Sequence, residues 1–406
     1  MSPLGILDTA LAIAALPALG ASTYLALLAV LSRHRAPPAA GVRPRLFFDV
    51  IVPAHDEQAG IGKTVRNLLS LDYPRQLFRV TVVADNCTDE TAARAHEAGA
   101  SVIVRQQPQL RGKGYALSHA FARVLAEGRA DAVVVVDADT VASPNLLRAC
   151  NERLEQGAAA VQADNAVLNP NASWRTRLMS IALATFHRLR SRARERLGVS
   201  CGLRGNGMCL SCALLREIPH EVSSITEDLE YGLRVTEAGH RVHYAEEGRV
   251  YSEMVTSERD SRSQRRRWEG GRGELASRHG LRLLARALGQ RDRMLLDLAM
   301  DLLVPPLAKL CVWVALGIAA AGAFSVAAGR PAISLALWCA CVLCLAGYLL
   351  RGWALSGTGA RGLLDLAIYA PVYVLWKITM RIRPGEHASR DWVRTRRESA
   401  VDPDLR

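Results

Sequence analysis

Aromatic residues are scarce in this chain: Phe, Tyr and Trp together make up 5% of its 406 residues. Binding of single-stranded nucleic acid wants several stacking rings, and no nucleic-acid motif stands in their place. Nucleic acid is therefore not an expected partner, despite a formal net charge of +12. That charge points only to some acidic partner, such as a lipid headgroup or a diphosphate. Paired cysteines are lacking too. Of the nine cysteines, Cys311, Cys339, Cys341 and Cys344 lie in apolar runs, where a thiol acts as a small hydrophobe. Cys201, Cys209 and Cys212 are close together but lack the paired spacing and fourth ligand of a zinc site. Reduced cytosolic thiols are the expectation. The sequence has no internal repeat and no P-loop spacing. No basic segment precedes its first apolar run, which argues against a cleaved signal peptide.

Long apolar runs are what the chain does have. Leu4 to Leu31 is almost uninterrupted, enough to cross a bilayer at ~1.5 Å per residue. Leu302 to Ala328, Ala332 to Leu350 and Leu363 to Met380 are further apolar segments. Arg33, His34, Arg35, Arg43 and Arg45 follow the first run, and the positive-inside bias places what comes next in the cytosol, at a bacterial-type plasma membrane. A cytosolic tail carrying Arg381, Arg383, Arg390, Arg394, Arg396 and Arg397 requires an even number of C-terminal crossings. One segment, the one containing Pro371, is then expected to lie in the interface or re-enter. The expected layout is a transmembrane helix over 1–32, a basic linker over 33–46 and a cytosolic α/β domain over 47–290. Interfacial and transmembrane helices over 291–380 and a basic cytosolic tail over 381–406 complete it.

Between the apolar runs, short β-branched stretches alternate with helical patterns. Strands are expected at Phe48 to Val52, Arg79 to Ala84, Ser101 to Arg105 and Ala132 to Val136, and helices at Ile61 to Leu71, Glu90 to Ala98 and Ala116 to Ala126. Strands apolar throughout are buried on both faces, as in a Rossmann-like α/β sheet, whose ligands bind beyond the carboxyl ends of its strands. Three strands end in polar clusters there: Pro53 to Glu57 (PAHDE), Asp85 to Asp89 (DNCTD) and Asp137-Ala-Asp139.

Each cluster has a chemical reading and a plainer one. Asp137 and Asp139 supply hard oxygen ligands for Mg²⁺ or Mn²⁺, or are two solvated acids in a turn. Thr226-Glu227-Asp228 is a carboxylate pair for proton transfer, or an ordinary helix start with N-cap and dipole compensation. Gln264 to Trp268 (QRRRW) offers guanidiniums for phosphate and an indole for stacking, or a basic face against headgroups. The run Arg188 to Arg196 is read as such a headgroup face. Arg111 to Gly114 (RGKG) opens a helix where backbone N–H groups and a lysine can hold phosphate. Gly205-Asn-Gly207 is a tight turn by composition.

Taken in order, PAHDE, ADNCTDET, RGKGYAL, DAD, GNGM, TED and QRRRW resemble the membrane-bound glycosyltransferases of family 2, over Val50 to Trp268. That group includes cellulose, chitin and hyaluronan synthases and bacterial poly-N-acetylglucosamine synthases. The resemblance implies a GT-A (Rossmann-like) glycosyltransferase domain flanked by transmembrane helices. It implies that Ala54, His55 and Glu57 line a nucleobase pocket, with Asp85 at the uracil edge and Lys113 near the donor. Asp137 and Asp139 would face the diphosphate, with Asp139 the more direct ligand of Mg²⁺ or Mn²⁺, and Asp228 would be the general base. Gln264, Arg267 and Trp268 would close over pyrophosphate and acceptor, with Gly205, Asn206, Gly207, Met208 and Glu227 at the acceptor. Two departures, His55-Asp56 for the family's frequent Tyr-Asn and Ala84-Asp85 for two consecutive Asp, touch the identity of the base.

The function implied is inverting, metal-dependent transfer of a glucose- or N-acetylglucosamine-type sugar from a UDP-sugar. Polysaccharide synthesis at the membrane is the leading reading, with room for an accessory subunit. Transfer of one sugar to a lipid or small acceptor is the alternative, favoured by the little C-terminal material available for a channel. A catalytically inert basic membrane protein is a third reading, and it leaves the ordered carboxylates unexplained.

Overall fold

The computed structural model describes residues 3–34, 43–221, 226–254, 258–329 and 331–381, and the side chains of all these except 3, 258–271 and 372–381. In chain order its elements begin with α1 (Pro3–Leu31), β1 (Phe48–Ala54), α2 (Ile61–Leu69), β2 (Phe78–Asp85), α3 (Thr91–Glu97), β3 (Ser101–Arg105) and α4 (Lys113–Glu127). Next come β4 (Ala132–Val135), β5 (Thr140–Ala142), α5 (Leu146–Glu155), β6 (Ala160–Val167) and α6 (Trp174–Leu183). A π-helical turn, Ala184–Leu189, leads into α7 (Arg190–Leu197). The chain continues with β7 (Met208–Ser211), α8 (Cys212–Glu217), α9 (Glu227–Glu237) and β8 (Val242–Ser252). It closes with α10 (Glu258–Gln290), α11 (Arg293–Leu303), α12 (Leu307–Ala327), α13 (Ile333–Ser356) and α14 (Gly359–Arg381). Two compact units result: an α/β unit built on the eight strands, and a helical unit of α1, the segment Ser180–Ser200 and α11 to α14.

The α/β unit holds one sheet in the order β3-β2-β1-β4-β7-β6-β8-β5. β1 to β4 are parallel, β7 runs antiparallel between β4 and β6, and β8 lies parallel to β6 with β5 antiparallel on its far side. Successive residues of β1 face opposite sides. Phe48, Val50 and Val52 pack with Ile61, Val65 and Leu68 of α2, while Ile51 packs with Ala116, Leu117 and Ala120 of α4. Coverage on both faces explains why β1 and β4 are nearly unbroken apolar runs. The exception, Asp49, is fully buried and accepts from Thr81 Oγ1 at 2.6 Å and Arg79 Nε at 2.7 Å on the next strand. Charge pairing of this kind is what permits a carboxylate there.

β1 to β4 match the expected strands closely, whereas β5 to β8 lie beyond the strands the sequence patterns named. The reversal at β4/β7 has a functional consequence. Because β7 is antiparallel, the turn before it lands at the carboxyl edge of β4, where Gly207 N–H donates to Val135 O at 2.9 Å.

In the helical unit, three helices among the described residues are long and apolar enough to cross a membrane: Leu4–Leu31, Leu307–Ala327 and Ile333–Ser356. The last expected segment, around Pro371, falls in α14. Helices α1 and α13 run parallel. Asp8 accepts from the N–H groups of Ile333 and Ser334 at 3.2 and 3.1 Å, capping α13 from outside, and Arg351 donates to Ser32 Oγ and O, both at 2.9 Å.

The run Arg188 to Arg196 is not simply a basic face for headgroups. Arg190 and Arg194 are buried, with Arg190 Nη1 2.8 Å from Asp301 Oδ1. Arg194 meets Asp297 at 2.9 Å and Asp301 at 2.7 Å. Tyr24 bonds both Arg194 and Asp297, and Tyr348 accepts from Arg190 at 2.7 Å. Removing such charges from water is costly, so each guanidinium is matched to a carboxylate.

Candidate active site

The loops after β1 and β2 form one wall. Ala54 is the buried last residue of β1, paired with Ala84 of β2. His55 Nδ1 is 2.8 Å from Asp85 O, and Glu57 N–H donates to Thr91 Oγ1 at 2.8 Å. Asp56 and Asn86 both adopt left-handed backbone, φ 53° and 50°, a conformation that Asp and Asn tolerate through local side-chain bonding. Here Asp56 Oδ1 accepts from Thr88 N–H at 2.7 Å and Asn86 Oδ1 from Gln107 N–H at 2.8 Å, lacing adjacent loops together. Asp85, expected at a base edge, is 1% exposed and ion-paired with buried Arg105, its register partner on β3. Arg105 also donates to Leu110 O at 2.9 Å, which makes this pair a strut holding the loop after β3.

The second wall carries the charge. Lys113 opens α4 behind Gly112, and its Nζ lies 2.6 Å from Asp137 Oδ1 and 4.0 Å from Glu227 Oε1. Glu227 and Asp228 begin α9, but Thr226, the N-cap, makes no side-chain capping bond, so the plain capping reading of TED is not what the helix start displays. Gly205, at φ +77°, makes the convergence possible: a Cβ there would stand 3.1 Å from Asp228 Oδ2 and 3.3 Å from Lys113 Nζ. Gly207 is equally constrained, since its Cβ would meet Val250 at 2.9 Å. Asn206, between them, is spent on the scaffold. It accepts from Asp137 N–H at 3.2 Å and donates to Thr140 Oγ1 at 2.9 Å and Ser252 Oγ at 3.1 Å. Met208 is fully buried in the core behind the turn.

Electrostatics separates the two neighbouring carboxylates. Burial first, and the adjacent Asp228 charge second, push Glu227 up to about 8, with Lys113 pulling the other way. Burial also raises Asp228, opposed by Lys113 and by a backbone N–H bond from Leu229. At neutral pH Glu227 therefore keeps its proton. Burial disfavours the Lys113 ammonium, but Asp137, by charge and by hydrogen bond, outweighs it and holds the group protonated. One lysine thus stands among Asp137, Glu227 and Asp228, with Asp139 two residues further along the loop. The ammonium on Asp137 and the proton retained by Glu227 both mark a place short of positive charge. With half-buried, oxygen-only donors at Asp137 and Asp139, that is a fit for a hard divalent ion.

Gln264, Arg267 and Trp268 fall within α10, and their side chains lie outside the described residues. The sequence patterns did not single out Arg204, whose charge offsets Asp228 and whose N–H donates to Gln162 Oε1 at 2.9 Å. They also missed Gln162, Thr140 and Ser252, which brace the glycine turn. The only signal for Arg204 was its place directly before GNGM.

A family model described as "Glycosyltransferase like family 2" matches residues 44–271, more than half of the chain. The beta-monoglucosyldiacylglycerol synthase of Synechocystis sp. is 32% identical over 231 residues, covering 55% of this chain and 47% of the relative. The enzyme of that name from Nostoc sp. is 30% identical over 253 residues, covering 59% and 51%. The chain thus spans about half the length of the curated relatives it matches. Among solved structures, the mannosyltransferase PcManGT from Pyrobaculum calidifontis, in complex with GDP-Man and Mn²⁺, aligns with a TM-score of 0.53 at 20% identity. That alignment covers 85% of this chain and 97% of the other, a likeness of fold.

Proposed function

Because the chain belongs to glycosyltransferase family 2, we propose that it transfers one hexosyl unit, of glucose or N-acetylglucosamine type, from a UDP-sugar to a hydroxyl of a membrane lipid. The fold is of the GT-A, Rossmann-like kind with a mixed sheet. The observation that carries the reading is the meeting of Lys113, Asp137, Glu227 and Asp228 beside the Gly205 turn at the carboxyl edge of that sheet. A lipid acceptor is supported by the names of the relatives and by the three apolar helices, and it displaces polysaccharide synthesis as the leading reading. The Arg33 to Arg45 charges support a plasma-membrane protein whose α/β unit faces the cytosol, where nucleotide sugars are made.

The mechanism follows from the charge arrangement. Asp228, ionised, takes the proton of the acceptor hydroxyl as that oxygen attacks the anomeric carbon from the side opposite the UDP. One bond forms as the other breaks, so an α-linked donor yields a β-linked product. Lys113 meets the charge developing on the departing diphosphate, and Arg267 is assigned the same task. Asp137 and Asp139 would hold Mg²⁺ or Mn²⁺, which supplies Lewis-acid neutralisation of that diphosphate. Glu227, keeping its proton, adds no further negative charge to the site. His55 and Glu57 are the half-buried side chains offered to the base.

The test is UDP release and product analysis with detergent-solubilised protein, UDP-glucose or UDP-N-acetylglucosamine, Mn²⁺ and diacylglycerol. A single glycolipid product, lost in Asp228→Asn, is expected. A ladder of products would restore the polymerase reading, and turnover undiminished by Asp228→Asn would remove the assigned base.

A further inference from the structure

We propose that His55, Asp56 and Cys87 form a binding site for a thiophilic divalent cation of the zinc class, between the loops that follow β1 and β2 and apart from the carboxylates around Asp137. An imidazole nitrogen, a carboxylate oxygen and the Cys87 sulfur lie within 4.8 Å of one another, all on half-buried side chains. Zinc holds such donors at ~2.0–2.3 Å, so closure on the order of 1 Å brings them to one ion. His55 is already set as metal-bound histidines are. With its Nδ1–H donated to Asp85 O at 2.8 Å, the lone pair sits on Nε2, the nitrogen 3.9 Å from Asp56 Oδ2.

The loops that carry these groups are held in register by bonds of a ligand and of a neighbour of the site. Asp56 Oδ1 is bonded by Thr88 N–H and Asn86 Oδ1 by Gln107 N–H, so ligands from two strand ends are presented together. The donor set also selects the ion. One nitrogen, one oxygen and one sulfur suit zinc or cobalt and not magnesium, which prefers oxygen alone. Three protein ligands leave a fourth position for water. On binding, the Cys87 thiol releases its proton to solvent as the sulfur–metal bond forms. A metal here would tie the β1 and β2 loops together where the nucleotide base is placed, so its occupancy should oppose UDP. That consequence alone rests on the proposed function.

The experiment is a Co²⁺ titration of the purified full chain in metal-free buffer, followed by absorption. One equivalent should bring a thiolate-to-cobalt charge-transfer band, removed by Zn²⁺. Cys87→Ser should lose the band, and His55→Gln should weaken binding more than tenfold. Zn²⁺ should raise the melting temperature of the wild type and leave that of Cys87→Ser unchanged, a readout that also shows the variant to be folded. No band in the wild type, or a band that survives Cys87→Ser, overturns the site. In a second arm, UDP binding should weaken with Zn²⁺ in the wild type only, and UDP affinity indifferent to Zn²⁺ overturns the antagonism. Complete failure of UDP to bind would count against the transferase reading, and the cobalt spectrum would still decide the site.

Discussion

Two clusters of buried charge in this molecule share the same residue types and differ in their balance. In the helical unit, Arg190 and Arg194 face Asp297 and Asp301, two of each sign, with tyrosines filling the remaining bonds. In the α/β unit, among the described residues, Lys113 and the charge of Arg204 face Asp137, Glu227 and Asp228, two against three. The balanced cluster is a brace. Its charges satisfy one another, and it gains nothing from a visitor. The unbalanced cluster stays short of positive charge, which it expresses as a proton kept by Glu227 and would relieve further by a cation at Asp137 and Asp139. Counting signs separates brace from site where burial does not.

Breaking the comparison at the site should have the largest effect. Asp228→Asn should reduce turnover by ~10²–10⁴-fold, the usual worth of a general base, while the melting temperature holds or rises. Steady-state UDP release with parallel thermal unfolding measures both, and a stability loss as large as the activity loss would make Asp228 part of a brace. Next comes Asp301→Asn, which strips a carboxylate from two buried guanidiniums and should destabilise the fold by ~3–5 kcal/mol. Thermal unfolding in detergent checks this, and intact stability would show that the helical cluster is more open than its geometry indicates.

His220 is a third case, a group buried without a counter-charge among the described residues. Burial first, then the charges of Arg234 and Lys113, lower it to about 4. Its proton is therefore bound by the unfolded chain before the folded one. Stability is complete above pH ~6.5 and lost as pH falls toward ~4, by up to about 3 kcal/mol. Melting temperatures between pH 7 and 4.5 should show this slope, and His220→Gln should flatten it. The smallest effect belongs to Glu227→Gln. At pH 7 the amide replaces a carboxyl already protonated, so activity should stay near wild type. Above about pH 8 only the wild type gains a negative charge and a rising donor KM. A loss at pH 7 matching that of Asp228→Asn would place the proton elsewhere.

The parallel half of the sheet was legible from composition, because burial leaves β1, β2 and β4 mostly apolar, with Asp49, Arg79 and Thr81 bonded to one another as the exceptions. β6 and β8 hid behind their own chemistry. Gln162 and Asp164 in one, and the Glu246 to Arg249 segment in the other, break any apolar pattern although much of each strand is buried. β7 is as short as β4 but, as Met-Cys-Leu-Ser, has no β-branched side chain to mark it, and β5 is only three residues long. At the site, the motifs lie in loops that the fold gathers at the carboxyl edge of the sheet, but they do not say which side chains face out. Asp85 is turned into its own wall by Arg105, a partner that only strand register reveals. The brace had a signal that went unread: Arg190/Arg194 and Asp297/Asp301 share a one-turn spacing, so two helices more than a hundred residues apart present matching pairs.

The Asp8 cap on α13 has a consequence for how the chain is made. The carboxylate and the two amides it receives are 325 and 326 residues apart, so α1 carries a fitting for a helix made long after it. Throughout the synthesis of the α/β unit the donor helix for that carboxylate has yet to be made, and the first-turn N–H groups of α13 meet their acceptor only when the two helices come together. Exchanging α1 for an unrelated membrane anchor would therefore tether the enzyme and still leave its final assembly step undone.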